Sequence, residues 1–325
     1  MANKKLKIGV LFGGKSAEHE VSLASAKNVI AALDKTKYQI VPIKIPKDGK
    51  FNFSSVKKVD VVFPVMHGPF GEDGSMQGFL KLSEVPFVGP GVLGSAVGMD
   101  KDIMKRLLRD AGIPIGKFIA VRGGDKNNKL NFNKIKKELG LPLFIKPANM
   151  GSSIGVSKVK NEAEFQKAVK EAFSFDSKIV IEQNISGREI ECAVLGNENP
   201  MASIPGEIIA NQEFYSYDAK YIDEGSVAEI PAKIDKKIAK KVQELAIQTF
   251  QALNCEGLGR VDCFVTKDGK VFVNEINTIP GFTNISMYPK LWEKSGLPQT
   301  KLLDRLIDLA IERFNREKKL KTTVK

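Results

Sequence analysis

The chain opens on a short apolar run, Lys7 to Phe12, closed by Gly13-Gly14. A run of that length bounded by glycine reads as a buried strand. Val21 to Leu33 follows with helical spacing, placing Val21, Ala24, Asn28, Ala31 and Ala32 on related faces. Tyr38 to Ile45, Val59 to Val65 and Pro86 to Val88 read as further strands. Strands alternating with helical segments predict an α/β unit with a largely parallel sheet. Ligands of such sheets sit outside the carboxyl ends of the strands. Two polar, glycine-bearing loops lie at such ends, Gly13 to Glu20 and His67 to Gly74.

After a helical stretch from Asp100 to Ala111 the texture changes. Lys117 to Val121, Leu143 to Lys146, Gly155 to Val159 and Ile179 to Gln183 read as strands, interrupted by one helix, Asn161 to Ser174. This predicts a small α+β unit with a mainly antiparallel sheet. From Arg188 come longer strands, a hairpin and an amphipathic helix whose apolar face carries Ile234, Ile238, Val242, Leu245 and Leu253. A last helix buries Leu302, Leu303, Leu306, Ile307, Ala310 and Phe314.

Composition narrows the picture. A chain of 325 residues exceeds one ordinary compact domain and implies two or three. Its 42% hydrophobic and 27% charged content is that of a soluble globular protein. No apolar run approaches the ~20 residues of a spanning helix, and Met1 to Lys5 lacks the apolar core of a signal peptide. A cytoplasmic protein without a membrane partner is expected. Cys192, Cys255 and Cys263 show no metal spacing and read as reduced thiols. The net charge of +12 raises a nucleic-acid reading. The lysines are spread out without interleaved aromatics, so no nucleic-acid partner is expected. The basic tail from Arg316 to Lys325 reads as a solvated helix end.

Two motif matches fail on physical grounds. Gly9 to Ser16 fits the P-loop expression, but Gly9 lies inside the first strand, so Val10 to Phe12 are not a phosphate-cradling loop. Gly89 to Gly94 fits the dinucleotide fingerprint, but Pro90 interrupts the turn and no acidic residue ends the next strand near Val121.

The strongest signal is Gly259-Arg260-Val261-Asp262, followed by Asp268-Gly269 and Glu275-Ile276-Asn277. Asp268-Gly269 between strand patterns predicts a two-residue type I′ hairpin turn. That register sets Asp262 opposite Glu275 and Arg260 opposite Asn277, all four on one face. Opposed carboxylates among apolar neighbours repel and need a cation or a shared proton. Carboxylate plus amide oxygen suits magnesium that keeps water and phosphate ligands.

Three loops carry weaker signals. Phe144 to Gly155 runs a strand into Lys146 and then into Gly151, Ser152 and Ser153, small residues that let backbone N–H groups approach an anion. His67 to Gly74 concentrates glycine and acid after a strand. Phe214 to Tyr221 concentrates tyrosine without amphipathic spacing and reads as a loop covering a site.

Together these motifs resemble the D-alanine–D-alanine ligase family of the ATP-grasp superfamily. The resemblance runs from Lys7 to Phe314 through Gly13 to Glu18, His67 to Gly74, Met99 to Lys101, Lys146 to Gly155, Tyr217 to Tyr221, Gly259 to Asp262 and Asn274 to Gly281, in the family's order. It implies α/β and α+β architecture, with an N-terminal Rossmann-like (pre-ATP-grasp) domain followed by a two-part ATP-grasp fold. Expected domains are 1–101, an α/β substrate-binding domain; 102–187, the central ATP-grasp subdomain; and 188–325, the C-terminal subdomain with the metal and substrate site.

The resemblance also implies roles. ATP would contact Lys101, Lys146, Ser153, Glu182, Gln183, Asn184, Ile185, Glu189 and Lys220. Asp262, Glu275 and Asn277 would hold two Mg2+ (or Mn2+) ions. Glu18 would bind the ammonium of the first D-alanine with His67 nearby. Ser286 and Met287 would meet the second D-alanine, and Arg260 with the Gly281 N–H would stabilise the oxyanion. Ser152 and Tyr221 would orient each other and Glu18 as the site closes. A homodimer is expected. Depsipeptide-forming relatives usually replace the tyrosine at Tyr221, so its presence favours an amine as second nucleophile. A D-alanine–D-lactate ligase, a P-loop NTPase relying on Lys15 and a non-catalytic nucleotide-binding module are the alternatives.

Overall fold

A computed structural model describes residues 5–124, 130–209, 227–321 and 323–324. The first unit contains β1 (Leu6–Gly13), α1 (His19–Ala32), β2 (Tyr38–Ile45) and β3 (Val61–Pro64). The strands pair in parallel in the order β2-β1-β3, as the alternating pattern predicts. Pro86 to Val88 contributes only an isolated parallel bridge between Phe87 and Val62. Gly9 pairs inside β1, and Lys15 is exposed in the loop beyond it, so no P-loop forms.

Three helices follow: α2 (Ser75–Leu82), α3 (Val92–Met99) and α4 (Lys101–Asp110). The Asp100 carboxylate accepts the Asp102 and Ile103 N–H groups, each at 3.1 Å, and so caps the start of α4. The turn at Gly89 is filled from within. Arg313 donates to the carbonyls of Phe87 and Gly89 and stacks over the Phe87 ring at 4.4 Å. The chain's own guanidinium thus stands at the fingerprint-like turn.

The second unit contains β4 (Phe118–Arg122), α5 (Phe132–Leu139), β5 (Leu143–Pro147), β6 (Ser157–Val159), α6 (Glu162–Phe175) and β7 (Lys178–Gln183). Its sheet is antiparallel throughout, in the order β4-β7-β5-β6. The sequence reading expects one helix here, and the structure has two. Helix α5 is short and rich in lysine, which masks its apolar face of Phe132, Ile135 and Leu139. Its start is nonetheless capped, because the Asn131 side chain accepts the Lys134 N–H at 3.0 Å.

The third unit contains β8 (Gly187–Gly196), β9 (Met201–Ala202), β10 (Gly206–Ile209), β11 (Val227–Glu229), α7 (Lys236–Ala252), β12 (Gly257–Thr266), β13 (Val271–Asn277), α8 (Met287–Lys294) and α9 (Gln299–Lys318). The sheet order is β11-β10-β8-β12-β13, with β9 beside β8. Helix α7 lays Val242, Leu245, Ala246 and Phe250 on the sheet, while Ile234 and Leu253 flank the helix. Full burial of a side chain such as Phe250 contributes about 2–3 kcal/mol.

The cores tie the units together. Met104 and Leu108 of α4 pack with Val242, Phe250 and Val261 of the third unit. Val10 and Phe63 of the first sheet share a core with Tyr288, Leu302 and Leu306. The middle sheet keeps its own core around Phe165, Ile145 and Ile181.

The hairpin of β12 and β13 has the expected register at its functional end, by a different route. Thr266 N–H donates to Lys270 O at 2.9 Å and Gly269 N–H to Thr266 O at 2.9 Å, so the loop is Lys267-Asp268-Gly269. Gly269 takes a φ of +79°, the left-handed position that favours glycine. This three-residue loop replaces the two-residue type I′ turn. A bulge then places Cys263 opposite Val273 but Asp262 opposite Glu275, with Asn274 as the extra residue. The two single-residue differences cancel, and Arg260 still opposes Asn277.

Candidate active site

A cleft of about 420 Å³ separates the middle sheet from the third. Lys146 leaves the end of β5, Glu182 and Gln183 end β7, and Asn184, Ile185 and Glu189 continue onto β8, all lining it. Lys101, Ser152 and Ser153 line the same cleft, as do Asp262 and Glu275. Ser152 and Ser153 take φ of +50° and +59°, values that L residues rarely adopt.

Glu182 is buried between two ammonium groups. Lys146 Nζ lies 2.9 Å from its Oε2 and Lys105 Nζ 3.2 Å from its Oε1. Burial works against the charge on Glu182, but Lys105 and Lys146 hold the carboxyl down at about 2. Burial likewise opposes the charge on Lys146, but Glu182 and Glu275 outweigh it and raise its pKa. For Lys105 burial prevails, with Lys146 adding to it, and the pKa falls.

The opposed acids share a face, with Asp262 directly opposite Glu275. A third acid joins them, because Glu191 of β8 stands opposite Asp262 on the other side. The sequence reading asks for a cation or a shared proton between Asp262 and Glu275, and the structure places the chain's own Arg260, Asn277 and Lys101 beside the two acids. Arg260 Nε lies 2.7 Å from Asp262 Oδ1 and 2.9 Å from Glu191 Oε2. Asn277 Nδ2 donates to Asp262 Oδ2 at 2.9 Å, and Lys101 Nζ lies 3.8 Å from Glu275 Oε2. Burial opposes the charge on Arg260, but Asp262 and Glu191 more than offset it and raise its pKa well above the ordinary value.

Among the described residues no three His, Cys, Asp or Glu side chains converge as a ready metal cage. Asp262 and Glu275 do line the cleft, and their oxygens are hard donors. They fit a magnesium ion that takes its remaining ligands from phosphate and water.

A second cluster adjoins the cleft through Ser152. Its Oγ donates to Glu18 Oε1, and Glu18 is buried at the start of α1. The carboxylate approaches backbone that only glycine leaves open: a Cβ on Gly68 would meet Glu18 Oε2 at 2.7 Å, and one on Gly151 at 3.1 Å. His67 is buried beside it. Its Nδ1 faces Glu72 Oε1 at 3.3 Å and the Ile279 carbonyl at 3.1 Å, and its Nε2 faces Ser25 Oγ at 3.2 Å. Burial disfavours a charged His67, but Glu72 and Glu18 outweigh it and raise the imidazole pKa.

The segment after β13 is pinned over this cluster. Phe282 N–H donates to Ser25 Oγ at 3.2 Å and its carbonyl accepts from Asn28 Nδ2 at 2.7 Å. Ser286 Oγ accepts the Thr283 N–H at 2.9 Å, within 2.8 Å of where a Gly281 Cβ would stand. The Met287 side chain is buried in the core. Tyr221 and Lys220 lie outside the described residues.

Sequence reasoning missed Lys105 and Glu191. Both were legible as spacing: Lys105 follows Lys101 by four on one helix, and Glu191 follows Glu189 by two on one strand. Helix α8, which carries Met287, was also missed.

Known proteins are similar to this chain in sequence and fold. The family model described as the D-ala D-ala ligase N-terminus matches residues 7–57 and 52–90, and that of the D-ala D-ala ligase C-terminus matches residues 107–308. The D-alanine--D-alanine ligase of Oceanobacillus iheyensis is 50% identical over 98% of this chain and 99% of its own. The solved D-alanine-D-alanine ligase from Coxiella burnetii is 41% identical, with a TM-score of 0.87 over 97% of this chain and 96% of its own. That from Bacillus anthracis, solved complexed with ATP, is 32% identical, with a TM-score of 0.83 over 96% of this chain and 99% of its own. The paired antiparallel sheets are those of the ATP-grasp fold. On near full-length identity and shared architecture, the chain belongs to the D-alanine–D-alanine ligase family.

Proposed function

We propose that this chain joins two D-alanine molecules into a dipeptide at the expense of ATP, supplying a precursor for peptidoglycan. The carrying observation is the link through Ser152. This residue lines the cleft that holds Lys101, Lys146, Asp262 and Glu275, and it bonds Glu18 in the adjoining cluster. A nucleotide's terminal phosphate in the cleft then meets an amino acid held by Glu18.

Amide formation from a free carboxylate is uphill in water, so ATP must convert one oxygen into a leaving group. The carboxylate of the first D-alanine attacks the γ-phosphorus and ADP departs, leaving an acyl phosphate. The second D-alanine, its amine deprotonated, adds to that carbonyl, and the tetrahedral adduct expels phosphate. Positioning and charge stabilisation dominate such transfers. Glu18 binds the first substrate's ammonium, and His67 lies near it. Lys101 and Lys146 bind phosphate oxygens, with Ser153 beside them. Glu182 to Ile185 and Glu189 hold the adenosine. Arg260 and the Gly281 N–H stabilise the oxyanion. Ser286 and the Met287 backbone meet the second D-alanine. Tyr221 and Lys220 are assigned to closure and to ATP by resemblance.

Asp262, Glu275 and Asn277 would hold magnesium, which would offset charge on the transferring phosphoryl group. Division at 101/102 and 187/188, a homodimer and a cytoplasmic location belong to the same proposal. Among the described residues no helix is long and apolar enough to cross a membrane.

The test is phosphate release from ATP in the presence of D-alanine or L-alanine. Strict dependence on D-alanine is the expected result. ATP consumption indifferent to D-alanine overturns the reading.

A further inference from the structure

We infer that Lys105 is a positioning residue that couples the nucleotide end of the cleft to the acid pair, holding Glu182 on one sheet and the β13 bulge on the other. It stands one turn after Lys101 on α4, so both ammonium groups leave the same side of the helix. Lys101 lines the cleft, but Lys105 is only 2% exposed and stays behind its wall. Its Nζ lies 3.2 Å from Glu182 Oε1, 3.4 Å from the Asn274 carbonyl and 6.0 Å from the Phe118 ring centroid. A lysine so placed does not reach a ligand itself.

Two consequences follow from those contacts. Glu182 keeps one ammonium partner when Lys146 turns toward a phosphate, so its buried charge is never left alone. Asn274 is the extra residue of the bulge that sets Glu275 opposite Asp262. A charged donor on its carbonyl fixes that bulge where the strand ladder is interrupted. One buried cation therefore ties the two sheets together, and α4 carries it on a rigid helix packed into the third unit's core.

The inference rests on the proposed nucleotide and magnesium reading for what the cleft binds. Calorimetric titration with magnesium–ADP, alongside thermal unfolding, tests it on the full chain. Lys105→Met is expected to weaken magnesium–ADP binding by about tenfold, the scale of one charged hydrogen bond, with partial rescue in Lys105→Arg. A merely structural lysine would lower the melting temperature and the folded fraction but leave affinity per folded molecule unchanged. That outcome overturns the inference.

Should Lys105→Met fail to fold, the pair Lys105→Met/Glu182→Gln is compared with Glu182→Gln alone. Weaker magnesium–ADP binding in the double variant supports the strut to Asn274, and equal binding overturns it. A wild-type chain that does not bind magnesium–ADP removes the functional reading, and this inference with it. A wild type that binds beside a Lys105→Met that binds equally removes the inference alone.

Discussion

Arg260 clasps Asp262 two residues along its own strand, its Nε 2.7 Å from Oδ1 and its Nη2 2.8 Å from Oδ2. The side chains of i and i+2 share a strand face, and the fork of a guanidinium matches a carboxylate. The same Nε lies 2.9 Å from Glu191 Oε2. One cation thus holds two of the three acids on this face. Arg260→Ala takes that cation from both acids and removes the proposed oxyanion donor. The expected outcome is a fall in kcat of about 10²–10³-fold, the usual cost of losing one such donor, with a lower melting temperature. Steady-state kinetics and thermal unfolding check both parts.

Glu18 is held by Ser152 and closely enclosed by Gly68 and Gly151. Glu18→Gln keeps the shape and removes the charge that would meet a substrate ammonium. A rise in the KM for the first D-alanine is expected, with kcat/KM down by about 10–100-fold, the scale of one charged hydrogen bond. The KM for ATP should stay within twofold of wild type, on the order of an unperturbed contact. An ATP KM that rises as much as the D-alanine KM contradicts the assignment.

Two lysines separate the favoured reading from the P-loop alternative. Lys146 leaves β5 into the cleft, whereas Lys15 is exposed beyond β1. Lys146→Ala should raise the KM for ATP by about tenfold or more, consistent with one lost charged contact. Lys15→Ala should leave turnover near wild type. The reverse pattern restores the P-loop reading.

Acid stability carries a signature of Glu182. Its folded pKa, about 2, lies below the unfolded value near 4.3. A depressed carboxyl pKa contributes stability that is fully present above the unfolded value. That contribution is lost as pH falls toward the folded one. Wild-type stability should therefore decline between about pH 4.3 and 2 more steeply than that of Glu182→Gln, which lacks this group. Urea midpoints measured at pH 5, 4 and 3 should show the variant's acid limb flattened. Parallel limbs contradict the assigned environment.

Much of the fold was legible because burial writes itself as period. The parallel first sheet and the antiparallel middle sheet follow from runs such as Lys7 to Phe12 and Ile179 to Gln183. Helix α5 was lost because its three apolar residues are matched by three lysines, and its cap, Asn131, resembles any loop asparagine. The opposition of Asp262 and Glu275 was read correctly through a wrong turn, since the longer loop and the bulge at Asn274 compensate each other. Chain pattern does not reveal how charges are shared once strands assemble. Arg260 balancing Asp262 and Glu191, and Lys105 reaching Glu182 from another unit, depend on side chains that meet only in the folded protein.

In the proposed reaction the cleft passes a phosphoryl group to the carboxylate held beside Glu18. Ligation run with D-alanine labelled with 18O in its carboxylate tests it most directly. Attack by that carboxylate predicts that each released phosphate carries one labelled oxygen, seen as a 2 Da mass increase on the order of one per turnover. Phosphate that takes its new oxygen from water, with the label wholly retained in the alanine products, would contradict it.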